Sequence, residues 1–180
     1  MATIVQKHEH SAVMDRGGDF TVPGPTESKN FPDGSSLVRT DQLPWTQWAF
    51  EGSEFKLLSI NRSSGVFTTL IRFKNGPLEL PDHHHFADVH AFVLEGDFSY
   101  EYGTMYKGDY LLEAGGINHA PRIGKDGALF LVIFTGPVTG VSAAGLPEGE
   151  VVDCNWMYRK AAENGAAGHL PPPPYQELHS

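Results

Sequence analysis

Between Val66 and Phe73 the chain alternates strictly, with Phe67, Thr69, Ile71 and Phe73 at one parity and Thr68, Leu70 and Arg72 at the other. Successive side chains of a strand point to opposite faces, so this stretch predicts a half-buried β-strand. The same kind of short apolar run recurs from Leu43 onward, each closed by turn residues. PWTQWAF and EFKLLSI precede a loop at Asn61 to Gly65, and Asn75-Gly76-Pro77 ends the alternating strand. VHAFVLEG, DFSYEYG and YLLEAGG follow, then ALFLVIFTG, whose unbroken apolar character predicts a strand covered on both faces. Together these runs predict eight or nine mostly antiparallel strands, enough to close a small barrel around side chains or one small ligand.

The pattern stops at both ends. Residues 1–42 carry no sustained period and are broken by Gly17-Gly18, Pro23-Gly24-Pro25 and Pro32 to Ser36, which predicts an irregular arm. It contains an H-x-H pair, His8 and His10, with no third partner nearby, and reads as solvated. Beyond Gly140 a short helix is predicted over Trp156 to Glu163, stopped by Asn164-Gly165. The polyproline run Pro171 to Pro174 predicts an extended tail. The expected organisation is an arm at 1–42, a barrel at 43–140 and an extension at 141–180.

Composition narrows the classes of function. With 13 Lys and Arg against 22 Asp and Glu, the 180-residue chain carries a net charge of −9, which disfavours nucleic acid and anionic membranes as partners. A single cysteine, Cys154, excludes an internal disulfide framework and suits a reducing compartment. No apolar run approaches the roughly 20 residues of a membrane span, and the opening MATIVQKHEHSAVMDRGG is too polar for a secretory signal. The expectation is one cytoplasmic domain, large enough to bury a core.

Five of the nine histidines fall between Pro81 and Pro121. His83 and His85 are two apart, so on one strand their imidazoles project together while His84 points away. His90 shares a parity with Phe92 and Leu94 on the next strand, read here as the inward set. His119 follows Gly115-Gly116, where the chain can turn sharply because glycine accepts positive φ. Such a cluster is a candidate metal site; imidazole suits Fe, Zn, Cu and Ni alike and does not choose among them. His90 reads either as a fourth ligand or as a base behind the ligands. Phe92, Phe98, Tyr100 and Tyr102 are candidate pocket walls, and Arg72 a candidate partner for an anionic substrate.

These residues resemble the two motifs of the cupin superfamily. His83-x-His85-x4-His90-x5-Gly96 matches the first, with His90 where most cupins place a glutamate, and Gly108-x5-Ala114-x-Gly116-x2-His119 matches the second, with Ala114 in place of proline. Histidine-rich ligation of this kind is similar to the small cupin dioxygenases of the 2,4'-dihydroxyacetophenone and acetylacetone-cleaving group. The resemblance covers about residues 43–140. It implies an all-β cupin fold, a double-stranded β-helix or jelly-roll barrel. It further implies a catalytic non-haem Fe(II) held by His83, His85, His90 and His119, with His90 catalytic, a small β-diketone or hydroxyketone substrate, O₂ as co-substrate, and a homodimer or homotetramer. The same shell with Zn, Ni or Mn would serve an O₂-independent isomerisation, hydrolysis or decarboxylation. A ligand-binding cupin without catalysis is the third reading.

Overall fold

The computed structural model describes residues 27–173; His8, His10 and the chain from Pro174 onward lie outside them. The described chain opens with a small hairpin, β1 (Lys29–Asn30) and β2 (Ser36–Leu37), and a 3₁₀ turn at Thr40–Gln42. Next come β3 (Thr46–Gln47), β4 (Ser53–Asn61), β5 (Val66–Phe73), β6 (Leu78–Glu79) and β7 (His83–His85). The second half runs β8 (Val89–Tyr100), β9 (Gly103–Tyr106), β10 (Tyr110–Glu113), β11 (Asn118–His119), β12 (Arg122–Phe134), β13 (Val138–Val141) and β14 (Pro147–Val152). Helix α1 (Cys154–Glu163) follows.

Two antiparallel sheets enclose the core. The larger has the order β10-β8-β12-β5-β4-β3, with β6 on β12 and β9 on β8; the smaller has the order β11-β7-β13-β14. β5 behaves as its alternation predicts: Phe67, Thr69, Ile71 and Phe73 are buried, and the residues between them are half-exposed. β12 buries Phe130, Val132 and Phe134 inside and turns Leu129, Leu131 and Ile133 outward, with Ile133 exposed, so among the described residues it is covered fully on one face only.

More strands form than the apolar runs predict, because bridges of two to four residues, such as β6 and β11, have no period to read. The expected boundary at 140 falls inside β13, and β14 then adds to the same sheet. The start of the extension is thus a strand of the smaller sheet. α1 begins two residues earlier than expected, where the Asp153 side chain caps it by accepting from the Trp156 N–H at 2.7 Å. It ends at Asn164, followed by Gly165 at φ +68°.

One feature of the larger sheet repositions a whole strand face. In the β8–β12 register Phe130 pairs with Val93 but Leu129 pairs with Glu95, so a bulge lies at Leu94. Gly96 sits just beyond it at φ +70°, where an added Cβ would meet the Gly127 carbonyl at 2.0 Å. Only glycine permits that approach.

Candidate metal centre

β7 is three histidines long, and its burial follows the parity rule: His83 and His85 are 6% and 3% exposed. His84 points to the other face, where its Nδ1 meets Asn118 Oδ1 at 2.6 Å. β11 pairs with β7 so that His119 lies opposite His83 and Asn118 opposite His84, which puts the third imidazole on the inner face. The glycine turn before His119 is clamped to the same strand. Gly116 N–H donates to the His85 carbonyl at 2.7 Å, His85 N–H to Ile117 at 3.1 Å, and Gly115 N–H to Asp88 Oδ1 at 2.8 Å. These bonds fix the turn without the proline that Ala114 replaces.

The three imidazoles converge, their candidate ligand atoms all within 4.8 Å of one another. His85 Nε2 faces His119 Nε2 at 2.8 Å. His83 Nδ1 donates to the Pro81 carbonyl at 3.1 Å, which leaves its Nε2 with a free lone pair. Burial drives both His85 and His119 down to about 3, helped for each by the charge that would sit on His83, and it lowers His83 as well. All three are therefore neutral at physiological pH, the form that binds a metal.

A carboxyl lies beside the cluster. Glu113, at the end of β10, is 8% exposed. Its carboxyl oxygens lie 3.5 Å from His85 Nε2 and 3.5 Å from His119 Nδ1. Burial pushes its pKa up to about 7, so these contacts join groups that both resist charge in the absence of a cation. His85 Nδ1 and His119 Nδ1 are buried without a hydrogen-bond partner. Three neutral imidazoles that converge in an apolar wall fit a bound divalent ion, and imidazole ligands suit Fe, Zn or Ni.

The cluster opens on a cavity of about 70 Å³ between the two sheets. Phe50, Phe73, Phe98, Phe130, Phe134 and Trp48 supply the aromatic part of its apolar wall. Tyr100 stands edge-on against the His119 ring, centroids 5.5 Å apart.

Several candidate residues lie elsewhere. His90 is outside the cluster; its Nδ1 meets Tyr110 Oη at 2.6 Å on the outer face of the larger sheet. Val89, Ala91 and Val93 are the inward set of β8, not His90, Phe92 and Leu94. The reversal is physical: both faces of VHAFVL are apolar enough to go inside, and the turn between β7 and β8 breaks the phase. Phe92 is accordingly 41% exposed, and Tyr102, in a turn, is 87% exposed. Arg72 faces outward, donating to Glu54 Oε2 at 2.8 Å with its guanidinium 3.9 Å over the Trp45 ring. The sequence pattern does not mark Glu113, Trp48 or Phe50 as cavity residues. Glu113 had one signal, since it shares a parity with the core-packed Leu111.

The fold and the converging histidines define a cupin. The ChrR cupin-like domain family matches residues 33–139, and the chain belongs to it. No curated protein matches the chain in sequence. Among solved structures, an RmlC-like cupin from Ralstonia eutropha JMP134 superposes with a TM-score of 0.64 at 18% identity, covering 74% of this chain and 88% of that one. A candidate acetylacetone dioxygenase from Methylibium petroleiphilum PM1 gives 0.63 at 23% identity, covering 69% and 92%. An acetylacetone dioxygenase from Acinetobacter johnsonii gives 0.54 at 16% identity, covering 92% and 99%. No helix among the described residues is long and apolar enough to cross a membrane.

Proposed function

We propose that this cupin is an Fe(II)-dependent dioxygenase that cleaves a C–C bond in a small β-diketone or hydroxyketone. The observation that carries this reading is the set of three neutral, buried imidazoles at the wall of an apolar cavity of about 70 Å³. A cavity this small with an apolar, aromatic wall favours a small ligand. The acetylacetone dioxygenase whose fold the chain shares points to the same class of substrate.

His83, His85 and His119 would hold the ion, and His83 is oriented for it by Pro81. Bound there, Fe(II) supplies Lewis acidity toward the substrate oxygens and electron exchange with O₂. Glu113 is the carboxyl within reach of the same space, and it serves as acceptor for the proton that a β-diketone loses from its central carbon. The phenylalanine wall keeps bulk water from the reacting carbons. The overall change balances without a reductant: diketone and O₂ give a carboxylic acid and a 2-oxoaldehyde, with one oxygen atom entering each fragment.

The test is O₂ uptake by iron-loaded protein with pentane-2,4-dione. Uptake equal to diketone consumed is expected. Substrate turnover that persists under argon would overturn this reading in favour of an O₂-independent Zn, Ni or Mn enzyme. Tight ligand binding with no turnover would leave a binding module.

A further inference from the structure

Among the described residues that line the cavity, Trp48 and Phe50 are half-buried and every other one is buried. A path from bulk water has to pass residues that face both the cavity and the outside, so it runs past these two rings. Both lie in the loop between β3 and β4, where Ala49 and Glu51, on either side of Phe50, are exposed. Phe50 is the one that reaches the metal centre, its ring centroid 5.2 Å from that of His83.

The backbone of this loop is pinned. The Phe50 carbonyl accepts three hydrogen bonds, from Ser53 N–H at 3.1 Å, from Ser53 Oγ and from Gln47 Nε2 at 3.1 Å. Ser53 is fully buried at the start of β4, and its own carbonyl takes the Trp48 N–H at 3.1 Å. The Phe50 ring is held by ring contacts instead, edge-on against the Trp48 indole with centroids 4.8 Å apart and tilted against His83. A partly exposed side chain changes rotamer within nanoseconds, whereas moving the loop would break every bond on that carbonyl. The ring, not the hairpin, is the part that can open.

We infer that Phe50 is the gate of the metal cavity: its ring closes the mouth beside His83 and admits a small neutral ligand when it swings out. Entry and exit then both scale with the fraction of time the ring is out. Trimming the ring speeds both directions, and enlarging it slows both. A ring that merely lined the cavity would change escape and leave entry as it was. The inference rests on the metal centre and cavity of the proposed function but not on the reaction, so its probe is a metal ligand that O₂ does not consume, imidazole.

Co(II)-loaded protein is mixed rapidly with imidazole under argon, and the visible absorption of the cobalt reports ligation in the wild type, Phe50→Ala, Phe50→Leu and Phe50→Trp. An open state populated about a tenth of the time or less makes association and dissociation at least about tenfold faster in Phe50→Ala. Phe50→Trp should be slower than the wild type in both directions. Phe50→Leu should fall between the wild type and Phe50→Ala, and with Phe50→Trp it decides the matter if Phe50→Ala does not hold cobalt. Binding to the trimmed variants alone is the limiting case of the same gate. Equal association rates in all the proteins, faster dissociation without faster association, or no binding to any of them overturns the assignment. Faster entry in Phe50→Ala with no O₂ uptake from pentane-2,4-dione in air would leave the gate standing and sink the dioxygenase. O₂ uptake with unchanged entry would do the reverse.

Discussion

Glu113 stands opposite Val89 in the antiparallel register of β10 and β8. Both side chains are buried on the cavity side, and the carboxyl comes within 3.5 Å of two of the clustered histidines. The first motif, which carries His90 at the usual glutamate position, therefore does not leave the site without a carboxyl. The second motif returns one from the neighbouring strand.

Replacing that carboxyl should weaken the metal centre without abolishing it. Glu113→Gln keeps the shape and removes the charge that a bound cation would draw out, and metal affinity should fall about 10- to 100-fold. Competition with a chelator of known affinity measures this. An unchanged affinity would place Glu113 outside the centre's energetics.

His90 predicts the opposite. It faces away from the cavity and bonds Tyr110, so His90→Ala should keep full metal content and O₂ uptake and change stability by no more than about 1 kcal/mol. Metal lost from His90→Ala would mean that β8 presents its other face.

The turn before His119 depends on a close approach. A Cβ on Gly115 would meet Ala87 Cα at 2.8 Å, backbone that cannot swing aside. Gly115→Ala should cost about 2 kcal/mol or more and lower metal affinity together with stability, since the same turn clamps His119 to His85. Denaturant midpoints with and without metal read both effects.

What could be read along the chain, and what could not, divides on phase. H-x-H needs only the two-residue period, and β5 announces its inner face because Thr68 and Arg72 alternate with Phe67, Ile71 and Phe73. β8 has the right period and no phase, since Phe92 and Leu94 are as apolar as Val89 and Ala91. The bulge at Leu94 is a property of pairing with β12 and leaves no local mark. Glu113 is an acidic residue among leucines, and its inward direction follows from a register that only the folded sheet defines.

Acid should destabilise the metal-free protein partly through His169. Its Nε2 donates to the Leu57 carbonyl at 2.9 Å, and its Nδ1 is buried without a partner. Burial holds its pKa below the usual 6.5, so as pH falls the unfolded chain takes up this proton first. The stabilisation is complete above about 6.5 and is lost as pH drops through the folded value. His169→Gln, which keeps the donor to Leu57, should show a shallower loss of stability between about pH 7 and 5. This pairing isolates His169 from Glu113, whose raised pKa acts with the opposite sign. Identical slopes would contradict the assignment.

The most direct test of the account is the metal content of the purified protein and of its His119→Ala and His90→Ala variants, by elemental analysis after reconstitution with Fe(II) under argon. The account predicts about one equivalent in the wild type and in His90→Ala, and less than about a tenth in His119→Ala. Full occupancy in His119→Ala, or none in the wild type, would contradict a centre built from His83, His85 and His119.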